Sequence, residues 1–485
     1  MEFHQAGSLD RAMAMYRDIL AKDPKQADAL HLLGAAEWQS GNLDEAEKLM
    51  RRAIAVWDKD AGYFADLGGV MATKKNFREA IKLYQTALKI DPINRIARDG
   101  IAEAYGAHGY ELSRDGLWDE AEAAYLGLLK FRPGDANALN NLGEIHQHAG
   151  NRAKAQTIYD EALTLRPDHA IARYNRAICH LGLGDLTKGW EDLAGSVEGW
   201  LPIIDKRKNL PWFSLPLWDG SDPRGRKILI WGDQGIGDEV LFASMVPDLI
   251  TRGALVTIEC MDRLAPVFAR SFPECKIIVR QDPPTIGADF DFQAPGLWLG
   301  HCLRPDFTYF TGREAFLKAD ATKTKTFRAR YKAKGKKKIT GIAWHSISGG
   351  RAEHRRMHLH QLVATLPHAD TLYIDLQYGD RDVEVHEVHR AFPDFAFYKD
   401  LDVDQLRDMD SFAAQITACD DVVTIGNTTA HMAGALGVPA QVFLPLAGLT
   451  WYWFEKCPNS PWYPSLKLLR KEREGDWSAA LAGLT

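Results

Sequence analysis

Six short segments recur through the first part of the chain: Gly7-Ser-Leu-Asp-Arg-Ala12, Gly41-Asn-Leu-Asp-Glu-Ala46, Lys75-Asn-Phe-Arg-Glu-Ala80, Gly116-Leu-Trp-Asp-Glu-Ala121, Gly150-Asn-Arg-Ala-Lys-Ala155 and Gly184-Asp-Leu-Thr-Lys-Gly189. Their last positions step by 34, 34, 41, 34 and 34 residues. A fixed period of this length marks a unit that cannot bury its apolar face alone, so consecutive units must stack. Proline follows most of them at a constant offset (Pro24, Pro92, Pro133, Pro167), and small residues recur where two helices must touch, at Gly34, Gly68, Ala102, Gly143 and Ala177. The step of 41 adds seven residues, or two helical turns, which lengthens one helix without rotating its apolar face. The spacing puts the insertion within 101–121 and predicts that the lengthened helix protrudes.

This is the tetratricopeptide pattern of paired helices wound into a superhelix, expected over 1–203. Such arrays take extended peptides or protein partners along a concave face. Asn141 and Asn175 stand one repeat apart, and an asparagine amide both donates to and accepts from a peptide backbone. They are the acceptor-binding candidates, against the plainer reading of exposed polar residues on helices. Gly7 already lies at an inter-helix turn. The expectation is a longer natural N-terminus or a neighbouring chain over the uncapped first repeat, the second giving a homo-oligomer.

A length of 485 residues fits about three domains of ordinary globular composition, with 46% hydrophobic and 26% charged residues. A net charge of −6 argues against nucleic acid as the main partner. The dense basic run from Lys323 to Lys338 reads as a solvated helix and hinge rather than a site for anionic lipid. Six scattered cysteines, without a C-x-x-C pair, signal neither a disulfide framework nor zinc. No apolar run is long enough to span a membrane, and no secretory leader is apparent, so the expected location is cytoplasmic.

After Gly189 the repeat decays into a Trp- and Pro-rich stretch (Trp200, Pro202, Pro211, Trp212, Pro216, Trp218), read as a packed junction over 204–225. Strands then alternate with helices. The first α/β half, 226–338, has strands near 227–231, 254–259, 276–279 and 289–292; the second, 339–485, has strands near 339–344, 371–376, 394–397, 421–425 and 440–444. Such alternation implies parallel sheets with right-handed crossovers.

Two strand-to-helix turns carry the candidate chemistry. In the first, Lys227–Trp231 leads into Gly232-Asp-Gln-Gly-Ile-Gly-Asp-Glu239, whose spacing is neither a dinucleotide fingerprint nor a P-loop. In the second, Val423–Ile425 leads through Gly426 into Asn427, Thr428, Thr429 and His431. A helix start offers unpaired N–H groups and the positive end of the dipole, and here it adds two hydroxyls, an amide and an imidazole. An ordinary N-cap is the alternative. Two such sites in separate α/β runs fit a ligand held between two halves.

Together with Ile342-Ala-Trp344, Leu376-Gln-Tyr-Gly379 and Ser460-Pro-Trp-Tyr-Pro464, these runs resemble the heptosyltransferase-type glycosyltransferases of the two-domain GT-B fold. The likeness is nearest to bacterial proteins in which tetratricopeptide repeats precede such a transferase, including flagellin-modifying ones. The resemblance implies an α-helical superhelix followed by two Rossmann-like halves, and transfer of a sugar from a nucleotide-activated donor to an acceptor such as a Ser or Thr hydroxyl, with no metal and no resident cofactor. It makes Asp238 the candidate general base, with a helix cap as the other reading. Donor contacts fall on Gly235, Gly237, His345, Arg355 or Arg356, Gln377, Tyr378, Asn427, Thr428, Thr429 and His431, where a guanidinium would pair with phosphate. Two departures stand out: Gly426 where many relatives carry an acidic residue, and Trp451-Tyr452-Trp453 where repeat-linked relatives often read Trp-Arg-Trp. These keep open a non-catalytic scaffold, and a transferase acting on a surface glycan is a third reading. The aromatic run either stacks on a base or packs in the core.

Overall fold

The computed structural model describes residues 8–196, 214–232, 235–281, 289–310, 315–346, 356–473 and 475–484. They form two compact units, Met1–Ile145 with Thr157–His169, and His146–Gln156 with Ala170–Thr485.

The first unit consists of paired helices whose turns fall at the recurring segments, as in Ala27–Gln39 with Leu43–Val56 and Ala61–Thr73 with Phe77–Ile90. The buried stripe is Ala- and Leu-rich, and Gly68 lies directly against the Tyr84 ring. The longer repeat shows its extra residues in one helix: Arg95–Arg114 has 20 residues where Ala27–Gln39, Ala61–Thr73 and Ala136–His148 have 13. Its added turns are amphipathic, with Gly109 and Leu112 buried and Tyr110 exposed.

The second unit opens with the last repeat helices, Ala170–Leu183 and Leu186–Ala194, and continues into two parallel sheets. The first sheet has the order β3-β2-β1-β4, from Lys227–Trp231 (β1), Leu255–Cys260 (β2), Lys276–Val279 (β3) and Phe292–Pro295 (β4). The second runs β10-β9-β8-β5-β6-β7, from Lys338–Ala343 (β5), Thr371–Asp375 (β6), Phe397–Tyr398 (β7), Asp421–Ile425 (β8), Ala440–Leu444 (β9) and Leu466–Arg470 (β10).

Two strands differ from their sequence expectation, and one was not foreseen. β4 begins at Phe292 rather than 289, because Asp289 and Asp291 are spent before it, on Lys227 Nζ and the Lys227 backbone N–H, each at 2.8 Å. β7 begins at Phe397 rather than 394, because Phe395 turns into the core against Tyr373. β10 follows Pro464 and was missed; five residues of mixed character carry little periodicity.

Residues 197–213, which include 204–213 of the junction, lie outside the described residues. The described end runs beside β4: Leu217 bridges Gln293, and Trp218 is fully buried beneath Trp298, whose indole N–H donates to its carbonyl at 2.6 Å. On the basic helix Ala321–Lys332, Lys323 pairs with Asp410, Arg328 with Asp420 and Arg330 with Asp400. The aromatic run Trp451–Trp453 packs in the core, each ring buried.

Trp190 on the last repeat helix joins the repeats to the sheets. It is 2% exposed, its indole donates to the Arg304 carbonyl at 2.7 Å, and its ring meets the edge of Trp451. Trp190→Ala should cost about 3–5 kcal/mol in urea unfolding, the usual range for a buried tryptophan. Trp190→Phe should cost less but still destabilise, by about 1–3 kcal/mol, since it strands a buried carbonyl. Equal stability of Trp190→Ala and the parent would show that this contact is dispensable.

Candidate functional site

β1 ends at Trp231, and Gly235 opens the Ile236–Ala243 helix from an extended backbone. At the third helical position Asp238 accepts the Gly235 N–H at 3.1 Å. The carboxylate therefore caps the helix, and the cap fixes it at the mouth of the turn. Asp233 and Gln234 lie outside the described residues.

In the second sheet the strand order reverses between β5 and β8, the point at which open parallel sheets hold ligands. Asn427 sits there as the N-cap of Thr428–Ala435. Its side-chain oxygen accepts from the Ala430 N–H at 3.3 Å and from the Thr424 hydroxyl at 3.1 Å, while its amide donates to the His345 carbonyl at 3.4 Å. One side chain thus caps the helix and ties the ends of β8 and β5 together. Beside it the Thr429 hydroxyl is fully buried and has no hydrogen-bond partner among the described residues, while Thr428 is half-buried. A helix start carrying an unsatisfied buried hydroxyl is suited to an anion.

His431 stands one turn further on and is 2% exposed. Its Nδ1 lies 2.9 Å from the Tyr463 hydroxyl, and Tyr452 and Trp453 flank the ring at 5.2 and 5.1 Å between centroids. Burial pushes the Tyr463 phenol well above the usual tyrosine range, with Tyr452 and Asp238 adding to the effect. A phenol that keeps its proton can donate to Nδ1, and in that tautomer the ring proton sits on Nε2. That nitrogen faces the first turn: a Cβ on Gly237 would come within 2.8 Å of His431 Cδ2 and 3.2 Å of Nε2. Only glycine allows this approach, so the glycine-rich turn of one sheet and the imidazole from the other meet here, with Asp238 as the next residue.

Gly426 is also explained by contact. A Cβ there would fall 2.9 Å from Leu444 Cδ2 and 3.2 Å from the Trp453 indole nitrogen. Trp453 occupies the space a side chain at 426 would need, which accounts for the glycine there.

Gln377, at the end of β6, spends its amide on backbone. Its oxygen accepts from Trp344 N–H at 3.0 Å and His345 N–H at 2.8 Å; its nitrogen donates to the Tyr378 carbonyl at 2.8 Å. It shapes the floor at the ends of β5 and β6. The Tyr378 hydroxyl donates to Ser346 at 3.4 Å. Arg381 Nη2 stands 2.8 Å from His345 Nδ1, and since a guanidinium only donates, the facing ring nitrogen accepts. Arg356 is exposed and has no ion pair among the described residues, and the Met357 N–H next to it bonds the Trp344 carbonyl, returning this segment to the end of β5. Arg355 lies outside the described residues.

The structure thus gathers Gly235, Gly237, Asp238, Asn427, Thr428, Thr429 and His431 at two facing turns, with His345, Gln377, Tyr378 and Arg356 at the neighbouring strand ends. Asn141 and Asn175 belong to the repeat helices and to different compact units. Sequence reasoning missed three residues. Tyr463 lay within the noted Ser460–Pro464 run but had no role, because its bond to His431 spans 32 positions. Arg381 carried no motif. Asp375 reads as the last residue of a strand, yet burial raises its carboxyl to about 6, against the lowering effects of the Gln377 N–H and Lys399.

Comparison with known proteins bears mainly on the first part. Residues 3–67, 107–151 and 134–188 match models of the tetratricopeptide repeat, so the N-terminal part is an array of these repeats. Protein FlbA of Caulobacter vibrioides is 28% identical, over 76% of this chain and 69% of its own length. Among solved structures, YrrB, a TPR protein with an unusual peptide-binding site, is 25% identical with a TM-score of 0.28, covering 35% of this chain and 84% of its own. MamA is 22% identical with a TM-score of 0.28, covering 35% of this chain and 95% of its own.

Asp375 supplies a pH test. Its folded-state carboxyl titrates above the value of 3.8 expected unfolded, so the unfolded chain loses this proton first as pH rises. Its contribution is whole below about pH 4 and is lost as pH climbs through about 6. Asp375→Asn should match the parent at pH 4 and exceed it at pH 8, by on the order of 2 kcal/mol. A pH-independent difference between the two melting profiles would remove Asp375 as the titrating group.

Proposed function

We propose that the protein is a metal-independent glycosyltransferase whose α/β part is a GT-B module, moving a sugar from a nucleotide-activated donor to the Ser or Thr hydroxyl of a protein recruited by the repeats. The observation that carries this is the convergence of the two turns: the His431 ring lies against Gly237 beside Asp238, at the reversal point of the second parallel sheet. The sequence resemblance makes flagellin the first acceptor to test.

In this reading the donor phosphates rest on the N–H groups and hydroxyls at Thr428 and Thr429, with the Arg356 guanidinium over them. Charge builds on the leaving phosphate as the glycosidic bond breaks. The helix start and the guanidinium stabilise it, and His431 Nε2–H adds a donor from the buried side. Asp238, oriented by its bond to Gly235, takes the acceptor's proton as its oxygen attacks. The repeats hold the acceptor segment, so that much of the rate comes from orientation.

A second reading, a scaffold without turnover, is favoured by one feature: Trp453 fills the space beside Gly426 where many relatives place a carboxylate. Thermal melting with cytidine, uridine, guanosine and adenosine mono- and diphosphates, with and without magnesium, separates the two. A transferase should respond to one base selectively and without magnesium, gaining about 2.7 kcal/mol at 100 times the dissociation constant. Asp238→Asn should retain that shift while losing turnover by at least about a hundredfold, the lower end for general-base loss. Silence from every nucleotide with folded protein would favour the scaffold; full activity in Asp238→Asn would exclude it as the base.

A further inference from the structure

The two extra turns of the Arg95–Arg114 helix enclose a cavity of about 260 Å³ within the first unit. They supply Tyr110, Ser113 and Arg114 as one wall. A helix of 13 residues beginning at Arg95, the length found in neighbouring repeats, would stop at Ala107 and supply none of the three. The cavity is therefore a product of the insertion. Tyr125 lines it from the next helix, its ring under Gly109 and its hydroxyl accepting from Asn141 Nδ2 at 3.2 Å. Trp118 and Ile145 complete the apolar part of the lining.

Its size and chemistry restrict the occupant. The volume lies below the about 300–1,000 Å³ of small-molecule sites, which suits one large side chain better than a cofactor. Three aromatic rings favour an apolar group, and Tyr110 is 63% exposed. Arg114 and Glu144 place one charge of each sign in the lining, so no net field selects an ionic side chain. The Asn141 amide has two donors and two acceptor positions. One donor goes to Tyr125 and one acceptor position takes Asn140 Nδ2 at 3.3 Å, which leaves one of each, the complement of a main-chain amide.

We infer that this cavity binds one aromatic or branched aliphatic side chain of an extended peptide, with the adjoining peptide group paired to Asn141. The inference rests on the repeat array alone and holds whether or not the α/β part transfers sugar.

The test uses the full chain and ligand-observed saturation-transfer NMR, with N-acetyl-phenylalanine methylamide, N-acetyl-glycine methylamide and methyl β-glucoside as probes at millimolar concentration. The phenylalanine probe should bind and the other two should not. Ser113→Trp, which fills the cavity, should abolish its signal; Tyr110→Ala, a change at an exposed position that leaves the fold intact, should weaken it about tenfold, as should Asn141→Ala. Circular dichroism and melting establish that each variant is folded, and Tyr110→Ala decides if Ser113→Trp is not. Equal binding of the glycine probe, binding of the glucoside in place of phenylalanine, or indifference to the substitutions would overturn the inference. The nucleotide-induced shift should be unchanged in Tyr110→Ala, so failure here is distinct from failure of the transferase reading.

Discussion

The turn Trp451–Trp453 is the constraint on which the larger unit depends. Trp451 meets Trp190 of the last repeat helix edge-on, while Tyr452 and Trp453 flank His431 and Trp453 covers Gly426. Three buried aromatics in sequence thus fix the end of the repeat array, the imidazole and the turn after β8 in one packing problem. Aromatic side chains remove large apolar areas from water and prefer edge-to-face contacts, so such a cluster transmits geometry as well as stability. A cation at Tyr452 would need its own buried partner.

Buried charge reinforces the same join. Arg152, 3% exposed, pairs with Glu455 at 2.5 Å and also donates to the Leu449 carbonyl, while the Glu455 N–H bonds the Gly182 carbonyl. Beneath the first turn, Arg280 pairs with Glu239 at 2.5 Å and stands 3.5 Å from Glu259, and it also donates to the Gly232 carbonyl. Such pairs add little net stability against an apolar alternative, but breaking one leaves an uncompensated charge, so they hold the surrounding backbone in register. Arg280 in this way supports the glycine-rich turn from below, and Gln377 does the same for the ends of β5 and β6.

Much of this was legible in the chain. The period of 34 and the single step of 41 located the helices, because the side-chain repeat of a helix and the spacing of its turns are local properties. Turn chemistry marked Gly235 through Asp238 and Asn427 through His431, since helix starts have recognisable caps. Strand edges were less secure: the starts of β4 and β7 moved because Asp289, Asp291 and Phe395 found long-range partners. Nothing local distinguishes Asp375 from any strand-end aspartate, and its raised carboxyl comes from burial among neighbours distant in sequence.

By itself, then, the sequence determined the element types, the repeat register and the two polar turns, all of which depend on neighbours within a few residues. Only the tertiary structure decided that those turns face each other, that Tyr463 holds the buried side of His431, and that Trp453 stands in the space beside Gly426. These outcomes depend on residues 27 to 194 positions apart competing for the same volume. Close packing allows one arrangement of that kind, and no local pattern encodes which.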